Sequence, residues 1–126
     1  CAMPGTAATK GLLHKDRLLT MRPTALLLNC GRGSLIPTKD LEEVLAAGHL
    51  GGVALDVTDP EPLPADSPLW DCSRVILTPH ISGATFGHVA ATEDKVYAIA
   101  AENLRRFRDG EALLNEVDLE AGYRKR

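Results

Sequence analysis

The sequence predicts an α/β fold with parallel strands, and three observations carry that prediction. Short continuous apolar runs occupy 24–29, 52–57 and 74–78, each bounded by polar, glycine or proline residues. Amphipathic stretches with apolar residues three and four apart lie between and after them. The resulting order is strand, helix, strand, loop, strand, helix, which suits a parallel sheet. Apolar runs this short and unbroken read as strands buried on both faces.

Taken in chain order, a short helix is expected over 14–21, with Leu18 and Met21 three apart and Pro23 as its stop. The first strand follows at 24–29. Thr38 is placed to N-cap a helix over 39–47, with Asp40, Glu42 and Glu43 in its early turns, where carboxylates complement the helix dipole. Leu41, Val44 and Leu45 form its apolar stripe, and Gly48 suits its end. The second strand spans 52–57. Residues 57–73 carry Pro60, Pro62, Pro64 and Pro68 and read as loop apart from a turn at Leu69-Trp70; structureless connections of this length are usually functional or linkers. The third strand spans 74–78. The longest helix is expected over 85–108, where Val89, Thr92, Val96, Ile99, Ala100, Asn103, Leu104 and Phe107 recur at three- and four-residue steps before Gly110.

Composition bounds the function. The chain has 126 residues, 44% hydrophobic and 25% charged, with a net charge of −3. That is an ordinary globular composition for one domain or part of one. The acidic balance gives no footing for nucleic acid. No apolar run approaches the roughly 20 residues of a membrane span. Three cysteines at 1, 30 and 72, with no close pair, argue against a disulfide framework and a zinc site and favour a reducing, cytoplasmic setting. No metal is expected. The first residue is Cys1 rather than Met, as a processed product or a fragment would have.

Ligands of α/β sheets bind outside the carboxyl ends of the strands. Four chemically capable residues follow predicted strand ends: Arg32, Asp56, Glu61 and His80. A guanidinium grips a carboxylate through two parallel hydrogen bonds and polarises a neighbouring carbonyl. A histidine exchanges a proton near neutral pH, and a carboxylate beside it orients the ring and favours its charged form. Together these are the parts needed to reduce a 2-keto acid, given a hydride donor. Each residue also has an ordinary reading. Arg32 between two glycines suits an exposed loop, Asp56 a turn cap, Glu61 between prolines a solvated loop, and His80 a strand-end surface position. His14 and His49 look like helix-edge surface residues, and His88 falls in the first turn of the long helix.

Several blocks carry a resemblance: NCGRG at 29–33, GVALDV at 52–57, PEPLP at 60–64, SPLW at 67–70 and TPHISG at 78–83. In this order and spacing they resemble the carboxy-terminal blocks of the NAD(P)-dependent D-2-hydroxyacid dehydrogenases, which include glyoxylate/hydroxypyruvate reductases and phosphoglycerate dehydrogenases. MPGTAAT at 3–9 is similar to the family's loop near the adenosine side of the cofactor. The resemblance implies catalytic roles for three residues. Arg32 would bind the substrate carboxylate and carbonyl, His80 would act as acid/base, and Glu61 would be its carboxylate partner. It implies cofactor-binding positions at Pro4, Thr9, Cys30, Gly31, Arg32, Asp56, His80, Ser82 and Gly83, with NAD or NADP as cofactor. The substrate would be a small 2-keto or 2-hydroxy acid, and the full-length protein a homodimer.

The resemblance also implies what lies elsewhere. The glycine-rich turn and the following acidic residue of a first Rossmann half are not in this sequence; Ile36 stands where Gly31 and Gly33 would need their third glycine. Residues 1–84 are thus expected to be the C-terminal half of an NAD(P)-binding domain, the second half of a Rossmann-type parallel sheet flanked by helices. Residues 85–126 would be a long helix returning to a split substrate domain, plus its tail. The isolated chain is expected to be inactive and to expose an uncovered apolar sheet face. Two alternatives stand beside the oxidoreductase: a dehydrogenase-like, NAD(H)-responsive corepressor scaffold, and a truncated inert product.

Overall fold

The computed structural model describes residues 1–83 and 90–124. Its residues form two compact units, Cys1–Ser82 and Gly83–Arg126.

The first unit contains α1 (Lys15–Leu19), β1 (Leu26–Asn29), a 3-10 turn (Gly33–Leu35), α2 (Thr38–Ala46), β2 (Gly52–Leu55) and β3 (Val75–Leu77). The strands form a parallel sheet in the order β1-β2-β3. Asn29, Leu55 and Leu77 are mutual register partners, so all three strands end flush at one carboxyl edge. The first residue extends this sheet: the Cys1 amino group donates to Leu28 O at 2.6 Å, and Cys30 N–H donates to Cys1 O at 2.9 Å. The α/β parallel class is thus the one the apolar runs predict.

Burial departs from the sequence expectation. The strands are buried on one face only, because strand side chains alternate and the core gathers on one side. Leu27, Val53 and Leu55 meet Leu18 of α1, Leu41, Val44 and Leu45 of α2, and Leu35, Ile36, Leu50, Leu63 and Leu69 from the turns and loop. Leu26, Leu28 and Ile76 on the other face are 70%, 53% and 67% exposed. The expected uncovered apolar face is therefore present.

Helix ends also differ. α1 is shorter than its pattern. α2 begins at Thr38, with Pro37 in the cap position and no side-chain cap bond. The Thr38 hydroxyl donates instead to Asp59 O at 2.7 Å, tying α2 to the long loop. At the other end, Gly48 has φ +78°, and His49 N–H reaches Val44 O while Gly48 N–H reaches Leu45 O. This is a Schellman closure that needs the left-handed residue glycine adopts freely. Arg74 reinforces it, its guanidinium donating to the carbonyls of Leu45, His49 and Leu50.

The loop between β2 and β3 has no regular element but is anchored. Leu63 and Leu69 enter the core, and the Ser67 hydroxyl donates to Glu42 Oε1 at 2.6 Å.

The second unit is a helix, α3 (Ala90–Asp109), followed by a two-stranded antiparallel pair, β4 (Val117–Asp118) and β5 (Tyr123–Arg124), which the sequence did not announce. The expected helix start at Thr85, together with Val89 and His88, lies outside the described residues. The helix end is held by Arg105, which bonds Glu102, Asp109 and Glu111, and by Gly110 at φ +70°. Among the described residues no helix is long and apolar enough to cross a membrane.

Candidate functional site

The site begins with how β1 ends. Asn29 is fully buried. Its side-chain amide donates to Arg32 O at 3.0 Å, and its Oδ1 accepts from Gly31 N–H at 3.1 Å, so a single polar residue closes the turn that presents Arg32. The glycines on either side permit close approach. A Cβ on Gly31 would stand 2.7 Å from the backbone of Met3, and one on Gly33 would stand 1.9 Å from Thr58 O. Arg32 itself is exposed, with Nη1 donating to Gly31 O at 2.9 Å.

Asp56, the first residue after β2, is 5% exposed. Its Oδ1 accepts from the Thr78 hydroxyl at 2.5 Å and from Ile81 N–H at 2.8 Å, and its Oδ2 accepts from Ser82 N–H at 2.9 Å. The Thr78 hydroxyl, then the Ser82 side chain and the two amides, stabilise the carboxylate and hold its pKa well below the usual range, against the opposing effect of burial.

His80 follows β3 with φ +55°, a left-handed conformation uncommon for a residue with a Cβ. Its N–H donates to Asp56 O at 2.9 Å. Its ring Nδ1 stands 2.7 Å from Glu61 Oε1. A carboxylate only accepts, so the Nδ1 proton belongs to this bond and Nε2 is left for other partners. Both side chains are about half-exposed, at 47% and 42%. Backbone strain of this kind concentrates where a side chain must be aimed.

A cavity of about 630 Å³ opens here, lined by Asp56, Glu61 and His80 with Thr58, Thr78 and an apolar wall that includes Leu63, Leu77 and Trp70. This is within the size range of small-molecule sites. Among the described residues, Arg32 is not in the lining.

The remaining expected positions are placed as follows. Thr9 is buried, and its hydroxyl donates to Pro4 O at 2.7 Å and accepts from Thr6 N–H at 2.9 Å, so it fixes its own loop. Cys30 is exposed and free, as is Cys1. Gly83 is exposed and begins the second unit. Of the other histidines, His14 is exposed, whereas His49 is half-buried with Nε2 donating to Met21 O at 2.9 Å, a structural tie.

Sequence reasoning passed over Asn29, Thr58 and Thr78. The available signal for Asn29 was a polar residue closing an otherwise apolar strand. For Thr78 it was a hydroxyl two positions before the histidine.

Comparison with known proteins identifies the family. The family described as D-isomer specific 2-hydroxyacid dehydrogenase, NAD binding domain, matches residues 1–82. The chain belongs to this family. Among its D-2-hydroxyacid dehydrogenase relatives, the human glyoxylate reductase/hydroxypyruvate reductase is 38% identical over 114 residues, 90% of this chain and 34% of the human protein. An uncharacterised protein of Corynebacterium melassecola is 42% identical over 125 residues, 96% of this chain and 38% of the relative. The crystal structure of a family member from Xanthobacter autotrophicus Py2, in complex with NADPH and MES, superposes with a TM-score of 0.83 at 35% identity. It covers 97% of this chain and 48% of that one. The chain thus spans little more than a third of the length of the curated relatives it matches.

Proposed function

We propose that this chain supplies the acid-binding and proton-donating residues of an NAD(P)-dependent oxidoreductase. That enzyme would interconvert a 2-keto acid, such as glyoxylate or hydroxypyruvate, with the corresponding D-2-hydroxy acid. The observation that carries the proposal is the 2.7 Å pair of His80 Nδ1 and Glu61 Oε1, held beside a cavity at the carboxyl edge of a parallel sheet. Family membership and the printed activities of the relatives support it.

The residues present fit a nicotinamide cofactor: three flush parallel strands carry Arg32, Asp56 and His80 just beyond their carboxyl ends. When bound, the reduced cofactor, NADH or NADPH, would supply the hydride. Arg32 grips the carboxylate of the keto acid and polarises its carbonyl. As negative charge develops on that carbonyl oxygen, the imidazolium form of His80 would give it the Nε2 proton, leaving a neutral ring whose Nδ1–H stays on Glu61. Glu61 keeps the ring oriented throughout. The backbone around Cys30, Gly31, Ser82 and Gly83 lies on the same reading beside the nicotinamide and its ribose, and Pro4 and Thr9 beside the adenosine. Residues 1–84 on this reading are the later half of the cofactor domain and 85–126 the return to the substrate domain.

The test has two arms. Pure 126-residue chain mixed with NADH or NADPH and glyoxylate should oxidise none of the cofactor; measurable turnover would overturn the assignment of the missing pyrophosphate site to another segment. In the second arm, the chain replaces the matching segment of a related reductase. The chimera should turn over, and His80→Gln should lower kcat by about 10²-fold or more while cofactor affinity holds. Full turnover by that variant would remove His80 from the reaction.

A further inference from the structure

We propose that Thr78 is a positioning residue for His80, acting through the Asp56 carboxylate; the inference rests on the reading of His80 as proton donor. His80 holds φ +55°, a conformation that its own sequence does not favour and that must be imposed by neighbours. Most of the restraint comes from Asp56, and Thr78 O shares the His80 N–H at 3.0 Å. Three successive amides, of His80, Ile81 and Ser82, end on Asp56: on its backbone oxygen at 2.9 Å, on Oδ1 at 2.8 Å and on Oδ2 at 2.9 Å. This bracket works only if both carboxylate oxygens face the turn, which fixes the rotation of the Asp56 side chain.

The Thr78 hydroxyl supplies that constraint from the sheet side, beside the Ser82 side chain from within the turn. It donates to Oδ1 at 2.5 Å, the short distance expected of a hydroxyl on a charged oxygen. Thr78 N–H donates at the same time to Leu55 O at 2.9 Å, so the hydroxyl is anchored to the sheet through its own backbone. β2 and β3 thereby clamp the carboxylate, the carboxylate holds the turn, and the turn aims the imidazole at Glu61. A carboxylate with this many donors from its own chain is a support for the turn.

The clamp can be tested on the isotope-labelled 126-residue chain. The readouts are hydrogen exchange of the Ile81 and Ser82 amides and the imidazole Nδ1–H resonance of His80 in its bond to Glu61. Thr78→Val keeps the β-branched shape and removes the hydroxyl. It should accelerate exchange of both amides by about tenfold or more and abolish the Nδ1–H signal, with Val53 and Leu55 exchange unchanged. Thr78→Ser, which retains the hydroxyl, should preserve the Nδ1–H signal and slow exchange.

Parental behaviour of Thr78→Val would overturn the proposal, and so would loss of the signal in a folded Thr78→Ser. Should Thr78→Val not fold, Thr78→Ser decides by the same criterion. None of these readouts depends on turnover. An active His80→Gln chimera would remove the proton-donor role and leave the clamp standing; an unchanged Thr78→Val spectrum would do the reverse.

Discussion

Replacing Gly33 by alanine places a methyl group where the backbone of Thr58 already lies. The new Cβ would stand 1.9 Å from Thr58 O, 2.1 Å from Thr58 C and 2.8 Å from Asp59 N. None of these atoms can swing aside as a side-chain tip could. Reaching an ordinary contact near 3.4 Å requires the two segments to part by about 1.5 Å. Both are tethered: Asn29 holds Arg32 O, and the Thr38 hydroxyl holds Asp59 O. Parting them strains or breaks at least one tether, at about 1 kcal/mol, on top of roughly 1–3 kcal/mol for overpacking. The expected loss is about 3 kcal/mol, a large share of a small domain's stability. Urea unfolding followed through Trp70, the one tryptophan of the chain, reads this directly because Trp70 sits in the same unit. With a slope of about 1–1.5 kcal/mol per M for so small a unit, the midpoint should fall by roughly 2–3 M. Gly48→Ala is the control. Gly48 has φ +78° with nothing within 4 Å of a Cβ, so only conformational strain of about 1 kcal/mol applies. If Gly33→Ala lowers the midpoint no further than Gly48→Ala, the close approach of the Arg32 turn to the Glu61 loop is refuted.

Leu41→Ala removes a side chain that is 1% exposed at the centre of the core, and urea unfolding should show a loss of about 2–5 kcal/mol. Arg74→Met withdraws the guanidinium from the carbonyls of Leu45, His49 and Leu50. It should cost about 1–2 kcal/mol by the same assay, and an unchanged midpoint would mean that water replaces the fork. The folded pKa of Asp56 lies below its unfolded value, so its contribution is fully present above the usual carboxylate range near ~4 and drains away as the pH falls. Stability measured from neutral pH downward should therefore decline less steeply in Asp56→Asn than in the parent; parallel curves would contradict the carboxylate's role.

How much was legible depended on whether a feature is local in the chain. The three strands, α2 with its Leu41–Val44–Leu45 stripe and the glycine stop at 48 were readable because apolar spacing and backbone freedom are properties of short segments. Arg32, Glu61 and His80 stand in ordered blocks and were picked out as candidates; the folded chain brings Glu61 and His80 to one cavity and leaves Arg32 out of its lining. The capping role given to Thr38 was misread because its hydroxyl has two possible acceptors, and only the folded loop brings Asp59 O within reach. Burial of the strands on both faces was misread for a related reason: an apolar run states that both faces can be buried, and it does not state what covers them.

The sequence by itself determined the fold class, the family and the residue types that follow the carboxyl ends of the strands. Only the tertiary structure decided which atoms meet. It paired His80 Nδ1 with Glu61 across 19 positions, and it committed the Asp56 carboxylate to Thr78, Ile81 and Ser82 across more than 20. It also left Arg32 on its own turn, outside the cavity lining. The physical reason is range: periodicity and turn chemistry act over a few residues, whereas a hydrogen bond of 2.5–2.9 Å between distant residues exists only after the strands have been set side by side.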